Sequence, residues 1–265
     1  MVAGIQLPYD QSVHADVPRC VILAAGASMR LRPLTDRMPK CLLKIGGKSL
    51  LERTVDNVVA AGIKEIALVV GYRADMIREF VKQRFPRRTI RFFLNPNYAN
   101  TNNAYSLLLA RRFLLGTNED VNHRLLLLDS DILFSPKLLP SLFSADAENK
   151  IAVRRPGEHN VEEVQVGMHP DGNIYFIGKR PTLIPQSSES VGIELFSGQA
   201  VEKLFSILEH QVQHGNGRSD FYETAFQKMI DEGIELKAVD IGTLPAMEID
   251  TPEDLDRAST LTIDD

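Results

Sequence analysis

The constraint that narrows the fold most is an alternation. Four short apolar runs, "CVILAAG" (20–26), "EIALVVG" (65–71), "TIRFFLN" (89–95) and "RLLLLDSDILF" (124–134), are separated by stretches with apolar residues at helical spacing. Short continuous apolar runs are what strands covered on both faces look like. The intervening "SLLERTVDNVVAAG" (49–62), "ADMIREFVKQRF" (74–85) and "NNAYSLLLARRFL" (102–114) read as amphipathic helices. Gly62 stops the first and Pro86 ends the second, because the residue before proline is pushed out of the helical region. Thr101 or Asn102 caps the third. Strands and helices in alternation dictate right-handed crossovers and a mainly parallel sheet.

Beyond about residue 150 the texture changes. "VEEVQVGMHPDGNIYFIGK" (161–179) alternates in polarity around Asp171-Gly172, the mark of a hairpin. "SVGIELFS" (190–197) reads as a strand, 198–213 and 220–232 as helices, and 234–241 as a strand. "TPEDLDRA" (251–258) is a helix capped by Thr251 and opened by Pro252. The expected plan is a loose extension over 1–18 and one domain over 19–265. That domain has a nucleotide half at about 19–150 and an acceptor half at about 151–265.

Totals exclude several classes. A chain of 265 residues with net charge −5 lacks the basic excess of a general nucleic-acid binder, so any anion site is local. No stretch approaches the ~18 apolar residues of a membrane span. Two cysteines, Cys20 and Cys41, make neither a disulfide framework nor a zinc ribbon, which fits a reducing cytoplasm. The first residues show no basic stretch followed by an apolar one, so no signal peptide is expected. The extension is read as loose or as an arm on a partner, which keeps a homodimer open.

The stretch after the first strand, "LAAGASMRLRPLTDRMPK" (23–40), carries the chemistry. In open α/β sheets ligands sit beyond the carboxyl ends of the strands. Ala24, Ala25, Gly26, Ala27 and Ser28 let a ligand approach the backbone, whose N–H groups can hold anions or base edges. Arg30, Arg32, Arg37 and Lys40 offer positive charge to phosphates, and Pro33 and Pro39 stiffen the loop. A solvated basic loop is the plainer alternative, but small residues, spaced cations and strand-end position together favour a polyphosphate site. Neither the P-loop spelling nor Gly-x-Gly-x-x-Gly is met, since Leu stands at 42 and Ser at 28. Two further strand ends carry acids: "LLLDSD" offers Asp129 and Asp131, and "MEIDTPEDL" offers Asp250. Each alone could be a cap or a solvated turn; together they could share a hard cation.

The loop resembles the signature "LAAGxxxRLxPLTxxxPK" of the nucleotidyltransferase superfamily that makes nucleotide-diphospho-sugars and CDP-alcohols. The resemblance implies a Rossmann-like α/β three-layer sandwich with a mainly parallel mixed sheet and an inserted β-hairpin on the acceptor side. It implies that Leu23, Ala24, Ala25 and Gly26 hold base and ribose, that Arg30 meets the β- and γ-phosphates and that Lys40 meets the α-phosphate. Asp131 and Asp250 match the family's Mg²⁺ ligands, with Asp129 and Ser130 beside the nucleotide. "NYANTNNAYSLLLA" (97–110), "IGK" (177–179), "ESVGIELFS" (189–197) and "MEIDTPEDLDRA" (247–258) resemble the phosphocholine cytidylyltransferase-like branch. That places Thr101, Asn102, Asn103 and Ser106 near base and ribose and Lys179 on the acceptor phosphate. The partners implied are a nucleoside triphosphate, with CTP favoured, and a small phosphorylated acceptor.

The acceptor side departs from the branch at "VRRPGEHN" (153–160), where Arg154 and Arg155 stand in place of an acid and leave the acceptor open. Tyr222 and Glu223, with Glu194, could receive a cationic head group, although an aromatic pair at helical spacing is more often core. His210 and His214 share a helix face, but no Glu follows the first His and a zinc site is disfavoured. Two rivals share the fold: a sugar-1-phosphate nucleotidyltransferase using UTP, dTTP or GTP, and an inactive regulatory subunit. The presence of Arg30, Lys40, Asp131 and Asp250 together argues against the second.

Overall fold

The computed structural model describes residues 17–115, 123–155, 163–179, 184, 187–215, 217–261 and 263. Most of the expected extension (1–16) and the stretch 156–162 lie outside the described residues. The strands are β1 Arg19–Ala24, β2 Lys44–Ile45, β3 Lys48–Ser49, β4 Ile66–Val70, β5 Ile90–Leu94, β6 Leu125–Asp129, β7 Ile132–Phe134, β8 Lys150–Arg154, β9 Gln165–Met168, β10 Ile174–Gly178, β11 Ser188–Phe196, β12 Lys237–Asp240 and β13 Ala246–Glu248. The helices are α1 Leu50–Ala60, α2 Ala74–Arg84, α3 Asn103–Leu109, α4 Arg111–Leu115, α5 Leu138–Ser144, α6 Gly198–His214, α7 Glu223–Asp231 and α8 Pro252–Thr260.

One nine-stranded sheet crosses both halves. β5, β4, β1 and β6 lie side by side and parallel. β11 then runs antiparallel to β6, β8 and β9, and β12 pairs parallel with β8. Only β11 and the hairpin strand β10 therefore run against the common direction, and the sheet is mainly parallel. Alternate residues of β1 feed opposite faces. Cys20, Ile22 and Ala24 pack under α1, α2 and α5, whereas Val21 and Leu23 pack under α3, α4, α6 and α7. The result is the expected three layers.

Two expected elements break, each for a local reason. The run 124–134 is not one strand. Ser130 turns its N–H to the carbonyl of Leu23 (3.1 Å), and Ile132–Phe134 leaves the main sheet to pair antiparallel with β13. The helix expected over 102–114 divides at Ala110, whose N–H bonds the Leu107 and Leu108 carbonyls. Among the described residues, no helix is long and apolar enough to cross a membrane.

A third, smaller core sits under the basic loop. Leu31, Leu43, Ile45, Leu50, Leu133, Met247, Ile249 and Ala258 are all buried together. Leu31 thus fastens the loop to the β7–β13 ribbon and to α8. Truncating a fully buried leucine removes transfer energy and leaves a cavity, about 2–5 kcal/mol. Leu31→Ala is expected to lower the unfolding free energy by that amount, read as a lower urea midpoint at an unchanged slope; a midpoint within error of the parent would show that the loop is not held there.

Candidate active site

The site opens at the carboxyl ends of β1 and β6, which pair with Leu23 opposite Asp129. The loop leaves β1 over Gly26, where a Cβ would meet nothing within 4 Å, so its backbone faces open space. The neighbouring strand end is closed tightly: a Cβ on Gly71 would lie 2.7 Å from the Ala25 carbonyl oxygen and from Tyr98 Cβ. The loop is tied to itself and to its surroundings. Thr35 Oγ1 donates to the Ser28 carbonyl (2.8 Å), and the Tyr72 hydroxyl donates to the carbonyls of Thr35 (2.9 Å) and Asp36 (2.8 Å).

Pro39 leads into a single 3-10 turn, Lys40–Leu42. Cys41 and Leu42 sink into the core, which fixes Lys40 at the floor of the cleft with 6% of its surface exposed. Its Nζ lies 2.7 Å from Asp131 Oδ2 and 2.6 Å from Asp250 Oδ1. Arg30 Nη2 reaches Asp250 Oδ2 at 2.5 Å. Asp131 and Asp250, 119 positions apart in sequence, meet because β7 pairs with β13 and the Ile249 N–H bonds the Asp131 carbonyl (3.0 Å). Asp250 is further set by Asp254, whose carboxylate accepts its N–H and completes the cap of α8 with Thr251.

Glu248 joins these acids, and the ligand atoms of Asp131, Glu248 and Asp250 lie within 4.8 Å of one another. Sequence reasoning passed over it, although Glu248 and Asp250 share one face of an extended segment by the two-residue period. Burial works against the Lys40 ammonium, but Asp131, Asp250 and Glu248 outweigh it and raise its pKa. Burial would also raise Asp250; Lys40 and Arg30 overcome it and hold that carboxyl below its usual range. Glu248 keeps accessible surface as a residue, yet withdrawal of its carboxyl from water, followed by the charges of Asp131 and Asp250, pushes it up to about 9. The trio fits a hard divalent cation by its oxygen donors, and Asp131 Oδ1 is buried without a hydrogen-bond partner.

At the end of β5, a residue that the sequence reading did not single out organises the Asn-rich segment. Asn95, almost fully buried just past β5, donates through Nδ2 to Thr101 Oγ1 and Ser106 Oγ, both at 3.0 Å. It also accepts the Asn97 N–H (2.9 Å). An asparagine at a strand end before an Asn-rich run was the available signal. Asn102 caps α3 by accepting the Asn103 N–H, and Asn103 Oδ1 accepts the Tyr222 N–H at 2.8 Å, joining α3 to the start of α7.

A second cleft of about 530 Å³ adjoins the first and shares Arg30, Lys179, Phe221, Glu248 and Asp250 with it. Lys179 follows β10, which α7 holds through Gln227 Oε1, acceptor of the Ile177 N–H (2.9 Å). Lys179 Nζ lies 4.5 Å from the centre of the Phe221 ring. The buried Tyr222 hydroxyl donates to Asp129 Oδ2 at 2.8 Å. Burial and then Asp131 hold the Asp129 carboxyl well above the carboxylate range. Glu223 lines this cleft, and burial pushes it up to about 7 against the pull of its own backbone N–H and Lys179. Arg154 also lines it, but its guanidinium is engaged by Glu189 (2.9 Å), Glu163 (3.3 Å) and the Ala246 carbonyl (3.2 Å). Arg155 is exposed, 3.9 Å from Asp240. Glu194 is buried in β11 and does not line the cleft. His210 and His214 stack with ring centres 4.8 Å apart, away from these residues.

The raised pKa of Glu223 predicts a pH effect. The fold favours its neutral form, so its contribution is complete below the unfolded value near 4.5 and is lost as pH rises through about 7. A shift of that size is worth about 3 kcal/mol. Glu223→Gln is therefore expected to lose less stability than the parent between pH 5 and pH 8. Parallel stability–pH curves would refute the assignment.

Over 138 residues, the chain is 35% identical to a CMP-5'-(3-aminopropyl)phosphonate synthase of Streptomyces rubellomurinus, covering 52% of this chain and 21% of that protein, so it spans about a fifth of that relative's length. It is 27% identical over 235 residues to a CTP:phosphoglutamine cytidylyltransferase of Campylobacter jejuni, covering 83% and 91% of the two chains. The solved CTP:phosphocholine cytidylyltransferase of Streptococcus pneumoniae superposes with a TM-score of 0.72 at 22% identity, covering 91% of this chain and 97% of the other, which shows the shared fold. The family model described as nucleotidyl transferase matches residues 19–248, from the first residue of β1 to the carboxylate that completes the acidic trio. Because that model spans most of the chain, the chain belongs to the nucleotidyl transferase family.

Proposed function

We propose that this chain is an Mg²⁺-dependent cytidylyltransferase that joins CTP to a small phospho- or phosphono-acceptor. The observation that carries the reading is the junction of Lys40, Arg30, Asp131 and Asp250 at the strand ends, opening into a second cleft through Lys179. An acceptor phosphate or phosphonate oxygen attacks the α-phosphorus of CTP. The bond from that phosphorus to the bridging oxygen breaks, and pyrophosphate leaves with the electron pair. Transfer of this kind asks the protein for positioning and charge neutralisation, not for a covalent intermediate.

Open backbone at Gly26 and the segment organised by Asn95 receive the nucleoside. Arg30 holds the departing pyrophosphate, Lys40 the α-phosphate and Lys179 the acceptor's anion. Asp131 and Asp250, with Glu248 beside them, would hold Mg²⁺, which supplies Lewis-acid polarisation and offsets phosphate charge. The names of two relatives, both built on cytidine nucleotides, support CTP. A base pocket lined by backbone and amide groups separates cytosine from uracil because the wrong base leaves a buried polar group unpaired.

The test is steady-state pyrophosphate release for CTP, UTP, dTTP, GTP and ATP against aminoethylphosphonate, phosphocholine, glycerol phosphate and glucose-1-phosphate. The reading expects the highest kcat/KM with CTP and a small acceptor. Highest kcat/KM for glucose-1-phosphate with UTP or dTTP would replace it with the sugar-nucleotide alternative.

A further inference from the structure

The second cleft is built for a particular kind of cation. Its carboxylates include Asp129, Glu163 and Glu223. Asp129 is taken by the Tyr222 hydroxyl and Glu163 by Arg154. Glu163 Oε2 is unpaired as well, but Arg154 holds its other oxygen and its side chain is 28% exposed; Glu223 is the more deeply withdrawn, with 93% of its surface buried and its Oε2 without a hydrogen-bond partner. A buried acceptor oxygen left unpaired costs about 1–3 kcal/mol, which a ligand N–H can relieve. The groups around it are Lys179 beyond β10, Asp129 at the end of β6, Glu194 on β11 and the Tyr222 hydroxyl before α7. Three of the four are oxygen groups, two acids and the hydroxyl bound to one of them, so the surroundings of Glu223 offer hydrogen-bond acceptors to an arriving N–H donor.

The aromatic side of the cleft is poor. A quaternary ammonium has no N–H and is recognised by open aromatic faces. The aromatic rings in the lining are those of Phe221 and Tyr222. Lys179 already covers Phe221 at 4.5 Å, and Tyr222 is 1% exposed with its ring 5.0 Å from Phe226. The chain has no tryptophan, and residues 156–162 and 180–186, next to cleft residues in sequence, contain no Phe or Tyr.

Building on the cytidylyltransferase reading, we propose that the acceptor carries a protonated amine with free N–H groups, that Glu223 binds it and sets specificity, and that a trimethylated ammonium is rejected. The acceptor's anion then sits on Lys179, where the two clefts join, and its amine reaches Glu223. The raised pKa of Glu223 in the empty cleft agrees: an arriving ammonium draws the carboxyl into its charged form, and acceptor binding near pH 7 releases a proton.

The experiment compares phosphoethanolamine with phosphocholine, which differ only in three N-methyl groups, and with ethyl phosphate, which lacks the nitrogen, each with CTP on the full chain. The parent is expected to prefer phosphoethanolamine over phosphocholine by about 10–100-fold in kcat/KM, the size of a charged hydrogen bond. Glu223→Gln and Glu223→Asp are expected to shrink that ratio, chiefly through the acceptor KM. Calorimetry of the parent in two buffers of different ionisation enthalpy is expected to show proton release on acceptor binding, which a merely structural glutamate would not produce. Equal kcat/KM for the two acceptors in the parent would overturn the proposal while leaving the cytidylyltransferase reading standing. Loss of the preference in Glu163→Gln but not in Glu223→Gln would also overturn it. No CMP-containing product with any acceptor would instead overturn the underlying reading, and the specificity with it.

Discussion

Lys40→Ala is expected to reduce kcat by about 10²–10³-fold while the protein remains folded. Removing one preorganised stabiliser of developing negative charge typically has that effect. Lys40 meets the conditions for it, being buried, raised in pKa and therefore charged at any working pH. A structural explanation competes, because the ammonium also holds Asp131 and Asp250 together. Losing it leaves acids facing one another and lowers stability. The two roles separate in measurement: a structural lysine changes the folded fraction, whereas the proposed one changes the turnover of the folded protein. A mutant whose kcat, corrected for folded fraction by circular dichroism, stays within a few-fold of the parent would remove Lys40 from the mechanism. Lys40→Arg is expected to recover only part of the activity, since a planar fork does not fit where a compact ammonium sits between two carboxylates.

The second large effect is expected at the acids. Asp250→Asn and Asp131→Asn each should weaken divalent-cation binding by more than the 10–100-fold that loss of a supporting residue usually causes. Mn²⁺ titration followed by electron paramagnetic resonance reads this directly, without turnover. Asp250 is the more sensitive position, because Arg30 and Lys40 both lean on it and its backbone N–H joins the cap of α8. Either mutant binding Mn²⁺ as the parent does, with unchanged metal dependence of turnover, would show that its residue is not a ligand.

Much of the architecture was legible because its causes are local. Apolar runs too short for a helix, bounded by Gly or Asn, became β1, β4 and β5 to within a residue or two. Ser49 and Thr251 capped the helices that their side chains can start. The loop at 23–40 stood out as a candidate anion site through its small residues at a strand end and its spaced cations, two of which, Arg30 and Lys40, the structure brings to Asp250.

Where local signals conflicted, long-range pairing decided. "LLLLDSDILF" has the composition of one strand, but Ile132–Phe134 pairs with Ala246–Glu248 instead of continuing the sheet. That pairing lies more than 100 positions away in sequence, and no local periodicity reports it. It is what brings Glu248 and Asp250 to Asp131. Arg154 shows the same limit: as a sequence feature it left the acceptor open, but in the fold Glu163 and Glu189 engage it.

The chain's own pattern therefore determined the parallel sheet, the helices on its two faces, the basic loop at the end of β1 and two of the three clustered acids, Asp131 and Asp250. Only the tertiary structure decided that Lys40 lies between Asp131 and Asp250, that Leu31 fastens the loop, that Asn95 orders the Asn-rich segment and that Glu223 keeps a buried oxygen unpaired. The reason is physical: propensity and periodicity act over a few residues, whereas charge pairing, burial and desolvation depend on which distant segments the sheet brings together.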